Sequence, residues 1–298
     1  MWRLIDLSGE GYYIHVKNKN VLVEKDGKKV SSVAFSDINS ILVHGSCNSF
    51  SEEFLSACVE HCIPLILCDD KHLPSGMLLS WYQHSDFASR FNCQLSAKLP
   101  KRKQAWQKIV KAKVLNQSEL LFRTGFHDEA KVLQIMSSHI LTGDSTNIEA
   151  QAARLYFPKL FGADFLRNDE NSLNAHLNYG YTIARSLIAR AVVGAGLCPS
   201  LSVFHSNRIN PFALVDDLVE PIRPFVDEMV MKIMYEDNPE SLSSASKKKL
   251  IALLTYEVKI RGQIYELSHA AEKYVLSYYR FISGEEKGIA YPQFIEDE

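Results

Sequence analysis

The sequence has 298 residues and no apolar run long enough to enter a bilayer. Its longest runs, such as Ile63 to Cys68, fall far short of the roughly 20 residues that a spanning helix needs, so neither a membrane span nor a membrane partner is expected. A secretory leader is also lacking: Met1-Trp2-Arg3-Leu4-Ile5-Asp6 puts an acid inside the would-be apolar region and offers no small-residue cleavage site. Cysteine is sparse. The six, at positions 47, 58, 62, 68, 93 and 198, follow no regular framework, and a chain of this length does not need disulfides. A reducing cytoplasm is the expected setting. A zinc reading of Cys58-x-x-His61-Cys62 with Cys68 gives way to buried thiols, because the first three fall on one amphipathic helix pattern and Cys68 ends an apolar strand pattern.

An excess of charge of one sign is missing too. The formal net charge is −2, so any nucleic-acid contact must come from a local patch. No Walker loop, GxSxG or HExxH occurs, which leaves the usual nucleotide, acyl-transfer and zinc-protease chemistries without their residues. Internal repeats and low-complexity tracts are likewise missing.

What is present is a globular composition, 46% hydrophobic and 23% charged residues, in a length that favours two domains. Up to about residue 80 the pattern is strand-like: Ile14 to Val16, Val21 to Glu24, Val33 to Phe35, Ile41 to Val43 and Pro64 to Leu67 are short β-branched or aromatic runs separated by turn signals such as Asp26-Gly27. One helix interrupts them, with Ser51 as N-cap and Phe54, Leu55, Cys58, Val59 and Cys62 at three- and four-residue spacing. After Trp81 the period turns helical over Gln104 to Phe122, Glu129 to His139, Ile148 to Phe157, Leu173 to Val193, Phe212 to Glu220, Phe225 to Tyr235, Lys247 to Tyr256 and Leu267 to Ile282, with prolines at the joints. The expected class is α+β: a small β domain over 1–80, then a larger all-helical domain over 81–298.

Three features carry chemistry. Between Phe87 and Ser118 there is no acid, while Arg90, Lys98, Lys101, Arg102, Lys103, Lys108, Lys111 and Lys113 all fall there. Such a stripe is either a solvated helix face or a set of phosphate contacts that gain affinity by counterion release. Glu149 follows Thr146 by three and completes a capping box, so it is either a helix cap or a ligand. His205 lies in an irregular stretch between two helices, where loops often present functional groups. Asp216, Asp217 and Glu220 cluster on one short helix; at a spacing of three, Asp217 and Glu220 share a face and repel unless they face water or bind a cation. A glutamate, a histidine and a carboxylate pair suit Mg2+ or Mn2+ better than a thiolate-seeking ion.

With those residues in view, the sequence resembles the CRISPR-associated integrases, the adaptation endonucleases that insert new spacers. The matching stretches are Ile148-Glu149-Ala150-Gln151-Ala152-Ala153-Arg154-Leu155-Tyr156-Phe157, Leu177-Asn178-Tyr179-Gly180-Tyr181, Gly196-Leu197-Cys198-Pro199 leading to His205, and Asp217-Leu218-Val219-Glu220-Pro221-Ile222-Arg223-Pro224. Trp2-Arg3 and Cys68-Asp69-Asp70-Lys71-His72-Leu73-Pro74 are similar to the branch that accompanies single-protein RNA-guided nucleases. The resemblance implies a metal held by Glu149, His205 and Glu220, with Asp217 as an auxiliary acid and Asp216 beside it as a competing assignment. It also implies an N-terminal β-sandwich used for dimerisation, a helical catalytic domain, and endonuclease and integrase activity on double-stranded DNA. The partners it implies are a second copy of the chain, a small ferredoxin-like adaptation subunit and the RNA-guided effector nuclease. Two other readings fit the residues: a catalytically silent DNA-binding scaffold in which Glu149 only caps its helix, and an unrelated metal-dependent phosphodiesterase for small nucleotides.

Overall fold

Short alternating runs make two sheets in the first eighty residues. The computed structural model describes residues 3–45, 47–69, 74–80, 84–204 and 209–296. Its strands are β1 (Arg3–Leu7), β2 (Tyr12–Lys17), β3 (Asn20–Lys25), β4 (Lys28–Ala34), β5 (Ile38–Val43), β6 (Ser49–Phe50), β7 (Leu65–Cys68) and β8 (Pro74–Leu78), with helix α1 (Glu52–Glu60) between β6 and β7. They form two four-stranded sheets, ordered β1-β5-β7-β8 and β4-β3-β2-β6. The hairpins β2–β3 and β3–β4 turn on Asn18-Lys19 and Asp26-Gly27, all four with positive φ, which is what a two-residue turn needs to match strand twist.

Leu7, Ile14, Val23, Ile41, Phe54 and Leu65, drawn from both sheets and α1, share one core. Ser51 caps α1 as its position predicts, accepting from the Phe54 amide at 3.2 Å. Leu4, Leu42 and Ile66 instead join a second core, made by the helices. Strand β5 is therefore buried along its whole length, as a strand covered on both faces must be.

The change from strand to helix falls between Leu78 and Phe87. The helices are α2 (Phe87–Ser96), α3 (Leu99–Arg123), α4 (His127–Ser138), α5 (Ile148–Phe161), α6 (Ser172–Gly194), α7 (Ala213–Leu218), α8 (Arg223–Glu236), α9 (Ser244–Ile251) and α10 (Leu267–Ser283), with a 3-10 turn at Glu220–Ile222 joining α7 to α8. A β-rich first part and a helical second part bear out the α+β expectation. One correction concerns the wholly helical second half. Strands β9 (Glu257–Ile260) and β10 (Gln263–Glu266) pair antiparallel there around Arg261-Gly262, both at positive φ. Val258 and Ile260 alternate inward with Lys259 between them, a period-two signal too short to stand out between two helices. Among the described residues no helix is long and apolar enough to cross a membrane, and all six cysteines are free thiols.

Helix α6 is buried on nearly every side, the mark of a central helix. Arg190 Nη1 donates to the carbonyls of Ile38 (3.0 Å) and Asn39 (2.8 Å), and Ser186 Oγ lies 3.2 Å from Ser40 Oγ, so α6 is fastened to β5. Its other side meets α8 at Gly180, where a Cβ would overlap Val226 Cγ1. Glycine costs helix stability, so its presence here is explained by that close approach. Gly180→Ala is expected to destabilise the fold by about 1–3 kcal/mol through overpacking, in spite of alanine's better helix propensity. Urea unfolding of Gly180→Ala beside the double variant Gly180→Ala/Val226→Ala checks this; the second change should restore part of the loss.

Candidate metal centre

Three elements converge on one cation. Lys113 stands in the middle of α3, Glu149 in the first turn of α5, and Glu220 at the start of the 3-10 turn after α7. The Lys113 ammonium donates to Glu149 Oε1 at 2.6 Å and lies 2.5 Å from Glu220 Oε2. Arg223 Nε donates to the other Glu220 oxygen at 2.8 Å. Burial alone would push the Glu220 carboxyl up, but Arg223 and Lys113 outweigh it and hold the group at about 2. Burial pulls the Lys113 ammonium down, and Glu220 and Glu149 more than reverse that, leaving it above its ordinary value. Asn116, one turn beyond Lys113, fixes the 3-10 turn by donating to the carbonyls of Pro221 (2.8 Å) and Pro292 (2.9 Å).

The capping reading of Glu149 does not hold. Asn147 occupies the N-cap position in a left-handed conformation, with φ 54°, so Thr146 cannot close a capping box. Asp144 supplies the cap instead, its carboxylate accepting from the amides of Ile148 (2.8 Å) and Glu149 (3.0 Å). The Glu149 side chain is thereby left to Lys113.

Asp217 is fully buried, and its Oδ2 accepts from the amides of Val203 (2.7 Å) and Phe204 (2.8 Å). Arg102 Nε reaches the Val203 carbonyl at 3.2 Å, and the Phe204 ring stacks on Trp106 at 4.9 Å. The chain is thus pinned as far as Phe204. His205, the next residue, lies outside the described residues, as do Trp2 and residues 70–73 of the quoted motifs. Asp216 goes elsewhere, forming a two-point pair with Arg185 at 2.6 and 3.1 Å. Asp217 therefore anchors a loop through its Oδ2.

The basic stripe divides by its surroundings. Lys113 is committed to the two carboxylates, and Arg90 donates to the Ala195 carbonyl at 2.8 Å while lying over Tyr279. Lys101 and Lys108 both sit over the Phe281 ring, and Arg102 holds the loop. Lys98, Lys103 and Lys111 remain exposed.

A recess of about 580 Å³ opens beside Glu220, lined by Arg167, Asn178, Tyr181, Arg185 and Arg223 among others. Tyr181 lies between two guanidiniums, Arg223 at 4.6 Å and Arg167 at 5.3 Å from its ring. Its hydroxyl and that of Tyr156 both donate to the buried carboxylate of Asp227. Neither Arg167 nor Arg185 was singled out by the sequence reading, although Asn178, Tyr181 and Arg185 recur at three- and four-residue spacing on an otherwise apolar helix.

Among the described residues no group of three His, Cys, Asp or Glu side chains is close enough to hold a metal. The pair present nevertheless fits a hard cation. Two carboxylates from separate elements already share a positive charge, the Lys113 ammonium lying 2.6 Å from Glu149 Oε1 and 2.5 Å from Glu220 Oε2. Carboxylate oxygens are what Mg2+ or Mn2+ takes.

A family model described as CRISPR associated protein Cas1 matches residues 6–255. The chain belongs to the Cas1 family. The resemblance carried by the Glu149, Tyr179, Cys198 and Glu220 stretches is thereby borne out. The CRISPR-associated endonuclease Cas1 of Neisseria meningitidis serogroup C (strain 8013) is 36% identical over 278 residues, which cover 93% of this chain and 91% of that one. Two solved structures share the Cas1 fold. A casposase bound to an integration product has a TM-score of 0.79 at 17% identity, covering 96% of this chain and 92% of the casposase. A Cas6-RT-Cas1–Cas2 complex has a TM-score of 0.77 at 18% identity, covering 96% of this chain and 35% of that one.

The two accounts of the α5 cap separate by mutation. Asp144→Ala should lower stability by about 1 kcal/mol or somewhat more, the usual worth of a cap, whereas Thr146→Ala should change it by a few tenths. Thermal melting of the two variants side by side checks the order.

Proposed function

We propose that the chain is a divalent-metal-dependent DNA endonuclease and integrase that inserts DNA fragments as spacers into a CRISPR array. The observation that carries the proposal is the convergence of Glu149 and Glu220, from different elements, on one cationic position. Glu149, Glu220 and His205 would hold Mg2+ or Mn2+, which supplies Lewis acidity at the scissile phosphate. Arg223 and Lys113 keep Glu220 ionised, the form a metal would take. The guanidiniums of Arg167, Arg185 and Arg223 line the recess where non-bridging phosphate oxygens would lie, and fixed cations there favour the charge that develops in phosphoryl transfer. In integration, a DNA 3′-oxygen gives up its proton and forms a bond to phosphorus while the bond to the leaving 3′-oxygen breaks and that oxygen takes up a proton; in nicking, water is the nucleophile. His205 serves as ligand or as the acid for the leaving oxygen, and a pH–rate profile separates the two.

The assembly follows the relatives. The casposase is bound to an integration product and the Cas1–Cas2 complex contains a second Cas subunit, and we take double-stranded DNA, a small ferredoxin-like subunit and the RNA-guided effector nuclease as partners here. Residues 1–80 would serve as a homodimerisation unit and residues 81–298 as the catalytic one. The exposed edge of the second sheet, β4, is available for such pairing.

Glu149→Gln tests the chemistry. Capping by Asp144 is untouched and Lys113 keeps Glu220, so metal-free melting should shift by only a few degrees, about 1 kcal/mol. Nicking and supercoiled-plasmid integration with the partner subunit and Mn2+ should fall about 100-fold or more, because a hard-cation site loses an anionic ligand. Glu220→Gln should match it, and the double variant should be little worse than either. Integration at the wild-type rate by Glu149→Gln would remove Glu149 from the metal site, and no integration by the wild type under the same conditions would turn the reading towards the scaffold.

The exposed lysines give a separate measurement. Replacing Lys98, Lys103 and Lys111 together by Ala should flatten the plot of log affinity against log salt by about 0.9 per lost phosphate contact, equally for unrelated duplex sequences. An unchanged slope removes these three from the interface.

A further inference from the structure

Lys113 began as one cation among eight and ends in the centre of the site. Its ammonium fills the position between Glu149 and Glu220, and Arg223 closes on the remaining Glu220 oxygen. Two cations match two carboxylates one for one, with Glu220 7% exposed and the Lys113 side chain 12% exposed. A divalent ion taken by the same carboxylates cannot simply be added. It would meet an ammonium at its own position, and the centre would then hold two surplus positive charges in a place that solvates charge poorly. A lysine stem is long and flexible enough to carry the ammonium aside without moving α3, but the charge must find an anion where it goes. The recess beside Glu220 has three guanidiniums in its walls, Arg167, Arg185 and Arg223, against the two carboxylates of Asp216 and Glu220, and phosphate oxygens are the anions such guanidiniums fit.

We propose that Lys113 is a resident counter-cation that makes metal uptake and phosphate binding depend on each other: the divalent ion displaces its ammonium from Glu149 and Glu220, and a backbone phosphate in the recess takes the ammonium over. The inference rests on the metal reading above. Lys113 is then a positioning residue that holds the two carboxylates in register before the metal arrives. Metal alone binds weakly, because it must leave a buried ammonium unpaired. DNA tightens the metal, and by reciprocity the metal tightens DNA by the same factor, of about 5- to 150-fold for couplings of this kind.

The test compares wild type, Lys113→Met and Lys113→Arg as full-length chains. Mn2+ binding without DNA is read from the spin-resonance signal of the free ion, and the affinity of a fluorescent duplex with 2′,3′-dideoxy ends, which cannot act as nucleophiles, is read by anisotropy with and without Mn2+. Lys113→Met should bind Mn2+ about tenfold tighter than wild type, and the Mn2+-dependent gain in duplex affinity should shrink towards one. Its metal-free melting temperature should fall and be restored by Mn2+. A lost salt bridge of purely structural value would also lower melting, but would not tighten the metal. Lys113→Arg keeps the charge and grips both carboxylates with a fork, so it should fold and bind Mn2+ more weakly than wild type; this arm decides the matter if Lys113→Met does not fold. Equal Mn2+ affinity in wild type and variants overturns the counter-cation while leaving the metal reading standing. No Mn2+ binding by any of them, with or without duplex, overturns both.

Discussion

The Lys113 ammonium between Glu149 and Glu220 is the interaction on which the site is built. Without a cation there, two carboxylates from α5 and from the 3-10 turn would face each other in a poorly hydrated space and drive the elements apart. With it, two separate parts of the chain are held to α3. The same helix does more. Arg102 and Trp106 hold residues 203 and 204, while Lys113 and Asn116 hold Glu149, Glu220 and Pro221. Their spacing of four, seven and three puts all four on one stripe of a helix, so the approach to His205 and the carboxylate pair are referred to one rigid element.

The helical half owes its place against the sheets to α6. Arg190 caps the start of β5 and Ser186 meets Ser40, while Gly180 lets α8 come close. Asn178, Tyr181 and Arg185 line the recess from the same helix. One long buried helix therefore fixes both the sheet behind it and the arginine wall in front. A small shift of α6 against α8 would reach Tyr181, and through it the guanidiniums of Arg167 and Arg223 stacked on its ring.

How much of this was legible depends on whether the signal was local. The strand-to-helix change, the Ser51 cap and the long helices follow from periodicity, and they appear close to where the sequence puts them. Strands β9 and β10 were hidden because four alternating residues weigh little beside flanking helices. The Glu149 cap was misread for a physical reason: Thr146-x-x-Glu149 has the right letters, but Asn147 adopts a left-handed conformation and Asp144, outside the motif, reaches both amides. Lys113 could not be told from Lys111 or Lys108 by spacing or composition. Only the helical turn that faces it toward two distant carboxylates separates a buried counter-cation from a solvated one, and those partners lie 36 and 107 positions further along the chain.

The four carboxylates between Asp216 and Asp227 make the same point about acids. In sequence, Asp216, Asp217, Glu220 and Asp227 are near neighbours of one chemical kind; in the fold each has a different environment. Asp216 meets a guanidinium at the recess, Asp217 collects two backbone amides, and Glu220 sits between an ammonium and a guanidinium. Asp227 meets two tyrosine hydroxyls and, among the described residues, no cation in contact, and burial raises it to about 6 in spite of those donors and of the more distant Arg223 and Lys113. Burial acts on Glu220 in the same direction, yet Glu220 stays near 2 because the compensating charges touch it. Contact with full charge, more than depth, decides which buried acid keeps its anion. Of these four, Glu220 is the buried carboxylate held ionised by an ammonium and a guanidinium that touch it. The ionised form is the one that the proposed metal role of Glu220 needs, while Asp217 spends its Oδ2 on the two amides of the loop it anchors.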